Sequence, residues 1–247
     1  MARPPDHPSP PLEIEAPRER ARAVREMFTA IAPRYDLLNH LLSLNIDRSW
    51  RRRAVDRLGW ESRAEGLFLD VCAGTFDLAL ELAGRPRFRG GVVAFDFSRA
   101  MVREGRRKIG SRPVVPLCAD ALRTPLADHT FDGAMIAFGL RNLVSIGEAL
   151  REIKRVLRPG VRLIILEFSL PTRQPLKGLY RLYFTRILPL VGRLISKHSH
   201  AYSYLPESVA GFPRPPELAE RLGEAGFTDV GWRRLTGGIA CLWWGRA

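Results

Sequence analysis

The chain has 247 residues, 46% of them hydrophobic, and carries 39 Lys+Arg against 26 Asp+Glu, a formal charge of +13. That composition excludes a disordered chain, and three cysteines without a C-x-x-C pair exclude a disulfide scaffold, speak against structural zinc and fit a reducing, cytoplasmic setting. The excess positive charge implies an anionic partner, either nucleic acid or an acidic membrane surface.

Residues 1–17 are rich in Pro and lack an apolar core segment, so they read as a flexible tail and not as a secretory signal. Val24, Met27, Phe28 and Ile31 follow i, i+3, i+4, i+7 spacing, which predicts a helix stopped by Pro33. A second helical region spans 37–44, and a strongly basic stretch containing Trp50 spans 48–57. These segments precede the first strand, so 18–60 forms a helical cap on a core domain. Apolar runs at 67–72, 91–95, 114–118, 131–138 and 162–168 predict five strands. Helices at 77–82, 99–109 and 147–157 separate them, the last stopped by Pro159-Gly160. Strands alternating with helices imply a parallel sheet covered on both faces. A helix at 217–225 and two strands at 229–235 and 239–245 close the chain as an antiparallel hairpin. The whole of 18–247 reads as one domain.

In such sheets ligands bind beyond the carboxyl ends of the strands. The first strand and its loop read Leu69-Asp70-Val71-Cys72-Ala73-Gly74-Thr75-Phe76-Asp77, with Asp70 and Gly74 as candidate cofactor-binding residues. Asp96 ends the second strand, where a carboxylate can accept from both ribose hydroxyls; as a helix cap it competes with Ser98. Asp120 follows the third strand, beside Ala121, where it can accept from an adenine amino group. Each feature alone is an ordinary loop; three at successive strand ends describe an adenosine site. A dinucleotide is the weaker reading, because positions 72, 74 and 77 are Cys, Gly and Asp and not the glycines of G-x-G-x-x-G.

Several segments carry a more specific pattern: Tyr35-Asp36-Leu37-Leu38-Asn39-His40, Phe138-Gly139-Leu140-Arg141-Asn142, Arg155-Val156-Leu157-Arg158-Pro159-Gly160, Leu166-Glu167-Phe168-Ser169, Ala201-Tyr202, Tyr204-Leu205 and Leu235-Thr236-Gly237-Gly238. From about residue 20 onward the chain resembles the ubiquinone/menaquinone C-methyltransferases (the MenG/UbiE family). The resemblance implies a Rossmann-like class I methyltransferase fold with a seven-stranded, mostly parallel sheet. It implies S-adenosylmethionine as the methyl donor and a prenylated quinol as substrate, with demethylmenaquinol converted to menaquinol. The ubiquinone-pathway benzoquinol is the alternative substrate. Carried over by position, the cofactor contacts are Thr75, Asp96, Asp120 and Ala121. The chain departs from the family at Phe76, which stands where a glycine is usual. A positive φ there would strain a phenylalanine, and a non-catalytic homologue with an altered cofactor loop is the reading that departure opens.

Methyl transfer to carbon needs a deprotonated quinol ring held in line with the donor. Arg141 and Asn142, after the fourth strand, are the candidate catalytic residues: Arg141 stabilises the phenolate or orients a water, and Asn142 orients it. Arginine stays protonated and is a poor base; the alternative is that Arg141 pairs with a carboxylate. Tyr202 and Tyr204 line the ring pocket or are packing aromatics. His198 and His200 have no third ligand, so no metal is expected. Segment 172–212 contains a stripe of Leu176, Leu179, Tyr180, Tyr183, Phe184, Ile187, Leu188, Val191 and Leu194 interspersed with Lys177, Arg181, Arg186 and Arg193. It reads as a lid over the substrate that also touches an anionic membrane, and the cations within it exclude a transmembrane helix. A nucleic-acid methyltransferase is disfavoured, because no RNA-binding module and no Asn-Pro-Pro-Tyr-like motif is present. The chain is therefore expected in the cytoplasm, peripheral at the inner face of the membrane.

Overall fold

The computed structural model describes residues 17–43, 45–172, 174–182, 186 and 200–247. Its centre is a seven-stranded sheet in the order β3-β2-β1-β4-β5-β7-β6. The strands are β1 (Leu67–Val71), β2 (Gly91–Asp96), β3 (Val114–Cys118), β4 (Gly133–Ala137), β5 (Arg162–Phe168), β6 (Thr228–Leu235) and β7 (Ala240–Arg246). β1 to β5 run parallel, and β7 is antiparallel to both β5 and β6. The strand order reverses beside β1, whose neighbours are β2 and β4. Connections leaving β1 and β4 therefore diverge and open a crevice at their carboxyl ends.

Side-chain alternation places helices on both faces. In β5, Ile164 and Leu166 pack with Trp50, Val55, Leu78 and Leu82, which belong to α3 (Ile46–Leu58) and α4 (Asp77–Ala83). Leu163 and Ile165 point the other way, against α6 (Ile146–Val156) and the helix Pro215–Glu224. Buried β-branched and leucine side chains on both faces make β5 a central strand.

Two further helices, α1 (Pro17–Ile31) and α2 (Tyr35–Leu42), precede α3 and form the cap. The Trp50 indole N–H donates to Thr236 Oγ1 at 2.8 Å, tying the cap to the β6–β7 turn. α5 (Arg99–Ile109) follows β2, and Ser98 caps it by accepting from the Met101 N–H.

Element boundaries follow local chemistry. β4 begins at Gly133 rather than 131, because Asp132 turns aside to accept from the Leu67 N–H and to pair with Arg63 and Arg158. These partners hold its carboxyl below the usual range, against the opposing effect of its burial. The helix expected at 217–225 starts at Pro215, where proline's missing N–H costs nothing. Segment 172–212 contributes α7 (Leu176–Leu182) and α8 (His200–Ala210), and Pro215–Glu224 is accordingly α9. The remainder of the lid stripe (Tyr183, Phe184, Ile187, Leu188, Val191 and Leu194), His198 and the tail residues 1–16 lie outside the described residues. Among the described residues no helix is long and apolar enough to cross a membrane.

Candidate active site

The loop leaving β1 is wound through three left-handed positions, Cys72 (φ 53°), Gly74 (φ 53°) and Phe76 (φ 72°). The winding turns backbone N–H groups toward β2: Ala73 donates to the Phe95 carbonyl at 2.9 Å and Gly74 to Asp96 Oδ2 at 3.0 Å. Asp96 Oδ1 accepts from the Ser98 N–H at 2.8 Å. Burial pushes the Asp96 carboxyl up to about 6, against the stabilising amides of Ser98, Gly74 and Phe97. The β4 loop passes close by, since a Cβ on Gly139 would lie 2.5 Å from Cys72 Cβ, so that crossing admits only glycine.

The conformation suspected for Phe76 is present. A phenylalanine occupies a left-handed position at the N-terminus of α4. Its ring is fully buried against Gly105 of α5, on the core side of the loop. It is not among the residues lining the cleft.

One cleft gathers Gly74, Asp96, Asp120, Ala121 and Asn142 with Phe97 and Phe138. Asp120 is exposed and its Oδ1 accepts from the Leu122 N–H at 3.0 Å, leaving its other oxygen available. The roof comes from the cap: Arg25 and Phe28 of α1 and Tyr35 of α2 line the same cleft. The Tyr35 ring would stand 3.6 Å from a Cβ on Gly74 and packs edge-on to Phe28 at 5.9 Å. Burial raises the Tyr35 phenol above its ordinary range.

These groups fit an adenosine-bearing cofactor. A buried carboxylate with spare lone pairs faces the cleft for a pair of hydroxyls. A side-chain-free backbone at Gly74 allows close approach, and an exposed carboxylate sits one strand away for an amino group.

Three predicted site residues stand behind the cleft wall. Asp70 Oδ2 accepts the Ala79 N–H at 2.9 Å, its Oδ1 is buried without a partner, and burial pushes its carboxyl up to about 8. The Thr75 hydroxyl donates to Asp36 of the cap and accepts from Lys108. Arg141 pairs with Glu167 Oε1 at 2.7 Å and donates to the Phe138 carbonyl, with only 7% of its side chain and none of Glu167's exposed. Its guanidinium also lies over the Phe168 ring at 5.4 Å. Burial raises the Glu167 carboxyl, and Arg141 opposes that rise.

Of the helical turn Leu140–Asn142, which also carries Arg141, Asn142 reaches the cleft. Its Oδ1 accepts from the Tyr204 hydroxyl at 3.0 Å, while its Nδ2 donates to the Phe138 carbonyl at 3.3 Å. Burial raises the Tyr204 phenol, with Arg141 and Arg20 acting in the opposite sense. The Tyr202 side chain lies outside the described residues.

Sequence reasoning misses the roof. In the sequence Tyr35 stands out only as part of a pattern, and the α1 stripe reads as packing. The signal available is that Phe28 and Tyr35 add aromatic surface to a cap immediately preceding the cofactor loop.

The sequence matches the ubiE/COQ5 methyltransferase family over residues 16–247. It is 43% identical over 231 residues to the ubiquinone/menaquinone biosynthesis C-methyltransferase UbiE of Geobacter sulfurreducens, covering 92% of this chain and 89% of that protein. It is 48% identical over 219 residues to the demethylmenaquinone methyltransferase of Thermus thermophilus, covering 87% of this chain and 97% of that one. Among solved structures, a SAM-dependent methyltransferase of Thermotoga maritima, a possible histamine N-methyltransferase, superposes with a TM-score of 0.63. It does so at 19% identity, covering 90% of this chain and 99% of that chain, which is a likeness of fold.

Proposed function

The chain belongs to the ubiE/COQ5 methyltransferase family, and we propose that it moves a methyl group from S-adenosylmethionine to a ring carbon of a prenylated quinol, converting demethylmenaquinol to menaquinol. The observation that carries this reading is the single cleft in which Gly74, Asp96, Asp120 and Ala121 meet Asn142. S-adenosylmethionine supplies an electrophilic methyl on a sulfonium. Asp96 holds the ribose hydroxyls, Asp120 with Ala121 faces the adenine edge, and Gly74 lets the backbone approach. The Tyr35 ring closes the cleft from above and excludes water from the reacting pair.

The quinol must lose a hydroxyl proton to become a carbon nucleophile. Asn142, steadied by Tyr204, holds a ring oxygen or the water that takes its proton. Arg141 acts from behind. Paired with Glu167, it fixes the turn that carries Asn142 and contributes positive potential beside the developing phenolate. A non-catalytic homologue is disfavoured because the Phe76 ring is buried in the core and leaves the cleft open.

Residues 18–247 form one methyltransferase domain under this reading, with 172–212 as the segment that admits the substrate. A lipid-soluble quinol is drawn from a bilayer, so the partner surface is an anionic membrane at the cytoplasmic face. Exposed Leu170, Leu179 and Leu182 on and beside α7, together with the chain's excess positive charge, support that contact. Quinones extracted from a methyltransferase-deficient bacterium carrying this gene test the function. Restored menaquinone supports the reading; restored ubiquinone alone moves it to the alternative head group, and restoration of neither refutes it.

A further inference from the structure

We propose that Lys108 is a positioning residue that fastens the cap to the cofactor loop, and so sets how tightly and how long S-adenosylmethionine is held. The inference rests on the cofactor site described above. Lys108 lies in the last turn of α5, a turn that contributes no residue to the cleft. Its Nζ reaches Asp36 Oδ2 at 2.7 Å, Asp77 Oδ1 at 2.5 Å and Thr75 Oγ1 at 3.1 Å. Asp36 belongs to α2, whereas Thr75 and Asp77 belong to the loop and first turn after β1.

The sequence neighbours of these groups are the two walls of the cleft. Tyr35 precedes Asp36, and Gly74 precedes Thr75. One ammonium thus joins the roof to the floor at the point where the Tyr35 ring covers Gly74. Thr75 completes the link by donating to Asp36. Without Lys108, two half-buried carboxylates, Asp36 and Asp77, would face each other across that hydroxyl, and like charges at this spacing repel. The far oxygen of Asp77 does not need Lys108, because Arg51 lies 3.5 Å and His40 3.9 Å from it. His40 and Arg51 belong to α2 and α3, so losing Lys108 frees Asp36 and loosens the cap without detaching it from Asp77. A roof that opens more readily lets the cofactor leave faster, and affinity changes of this kind appear mainly in the dissociation rate.

The test is calorimetric titration and stopped-flow release of S-adenosylhomocysteine from the full chain, with amide exchange of residues 17–42 in the complex. Lys108→Ala is expected to weaken binding about tenfold, through faster release, and to speed exchange in the cap. Asp36→Asn is expected to do the same, and the double variant to be no more than about twofold worse than either, because both break the shared Lys108–Asp36 contact. Lys108→Arg is expected to recover most of the loss. Wild-type affinity, release and cap exchange in Lys108→Ala would overturn the clasp, as would fully additive losses in the double variant. Should Lys108→Ala fail to fold, Asp36→Asn decides the question by the same three readouts. No binding by the wild type would overturn the cofactor site itself.

Discussion

The ring of Phe76 occupies the space that a side chain at position 105 would need: a Cβ on Gly105 would lie 2.4 Å from Phe76 Cδ2. The two residues explain each other. Phe76 holds a left-handed backbone that costs a non-glycine residue about 1–3 kcal/mol. Burying its ring returns about 1.5–3 kcal/mol. Gly105 weakens α5 by about 1 kcal/mol relative to alanine, yet nothing larger fits. Gly105→Ala is therefore expected to destabilise the chain by about 1 kcal/mol net, since overpacking costs about 1–3 kcal/mol. In a Phe76→Gly background the same substitution is expected to be neutral or stabilising. Urea denaturation of the four proteins checks this, and an equal effect of Gly105→Ala in both backgrounds would contradict it.

The ribose contact proposed for Asp96 predicts how cofactor binding responds to pH. Its carboxyl titrates near 6 because burial disfavours the charge. Ribose hydroxyls donate best to the ionised form. Affinity for S-adenosylmethionine is expected to hold above pH 7 and to fall as pH drops through about 6, approaching tenfold per unit. Calorimetry between pH 5 and 8 follows it, with Asp96→Asn expected to bind more weakly and with a flat profile.

Asp70 makes the stability of the fold depend on pH. Its carboxyl is pushed by burial from the ordinary 3.8 up to about 8 in the folded chain. Across that window the folded state binds a proton that the unfolded state has lost, so stability declines as pH rises. Asp96 contributes only up to about 6, and the buried Glu167 carboxyl is raised in the same sense. The melting temperature of the wild type is expected to fall between pH 6 and 8 and that of Asp70→Asn to fall less steeply. Parallel curves for the two proteins would remove Asp70 as the cause.

Asn142 and Arg141 separate by assay. Asn142→Ala is expected to lower kcat by about 10- to 100-fold while cofactor affinity stays within about twofold. Glu167→Gln leaves the buried Arg141 without its counter-charge and is expected to cost about 3–5 kcal/mol of stability. Normal turnover in Asn142→Ala would remove that residue from the chemistry.

Much of this arrangement was legible in the chain. The five parallel strands follow from short apolar runs bounded by Gly and Pro. Asp96 and Asp120 could be picked out because a parallel sheet places strand-end residues along one edge. The Phe76 departure was visible, and so was a glycine set among the charged residues of α5, but their contact depends on how α5 crosses the β1 loop. The Arg141–Glu167 pair joins residues on different elements, and no local pattern gives their relative depth. Tyr35 over Gly74 is likewise a matter of how the cap docks, which is tertiary packing without a periodic signature.

Incubation of the purified chain with demethylmenaquinol and S-adenosylmethionine bearing a trideuterated methyl, followed by mass spectrometry of the quinone, tests the central claim most directly. The expected product carries one trideuteromethyl group in place of a ring hydrogen, with S-adenosylhomocysteine formed in equal amount. Unlabelled quinone from a protein that binds the donor, or label recovered on a ring oxygen, would contradict it.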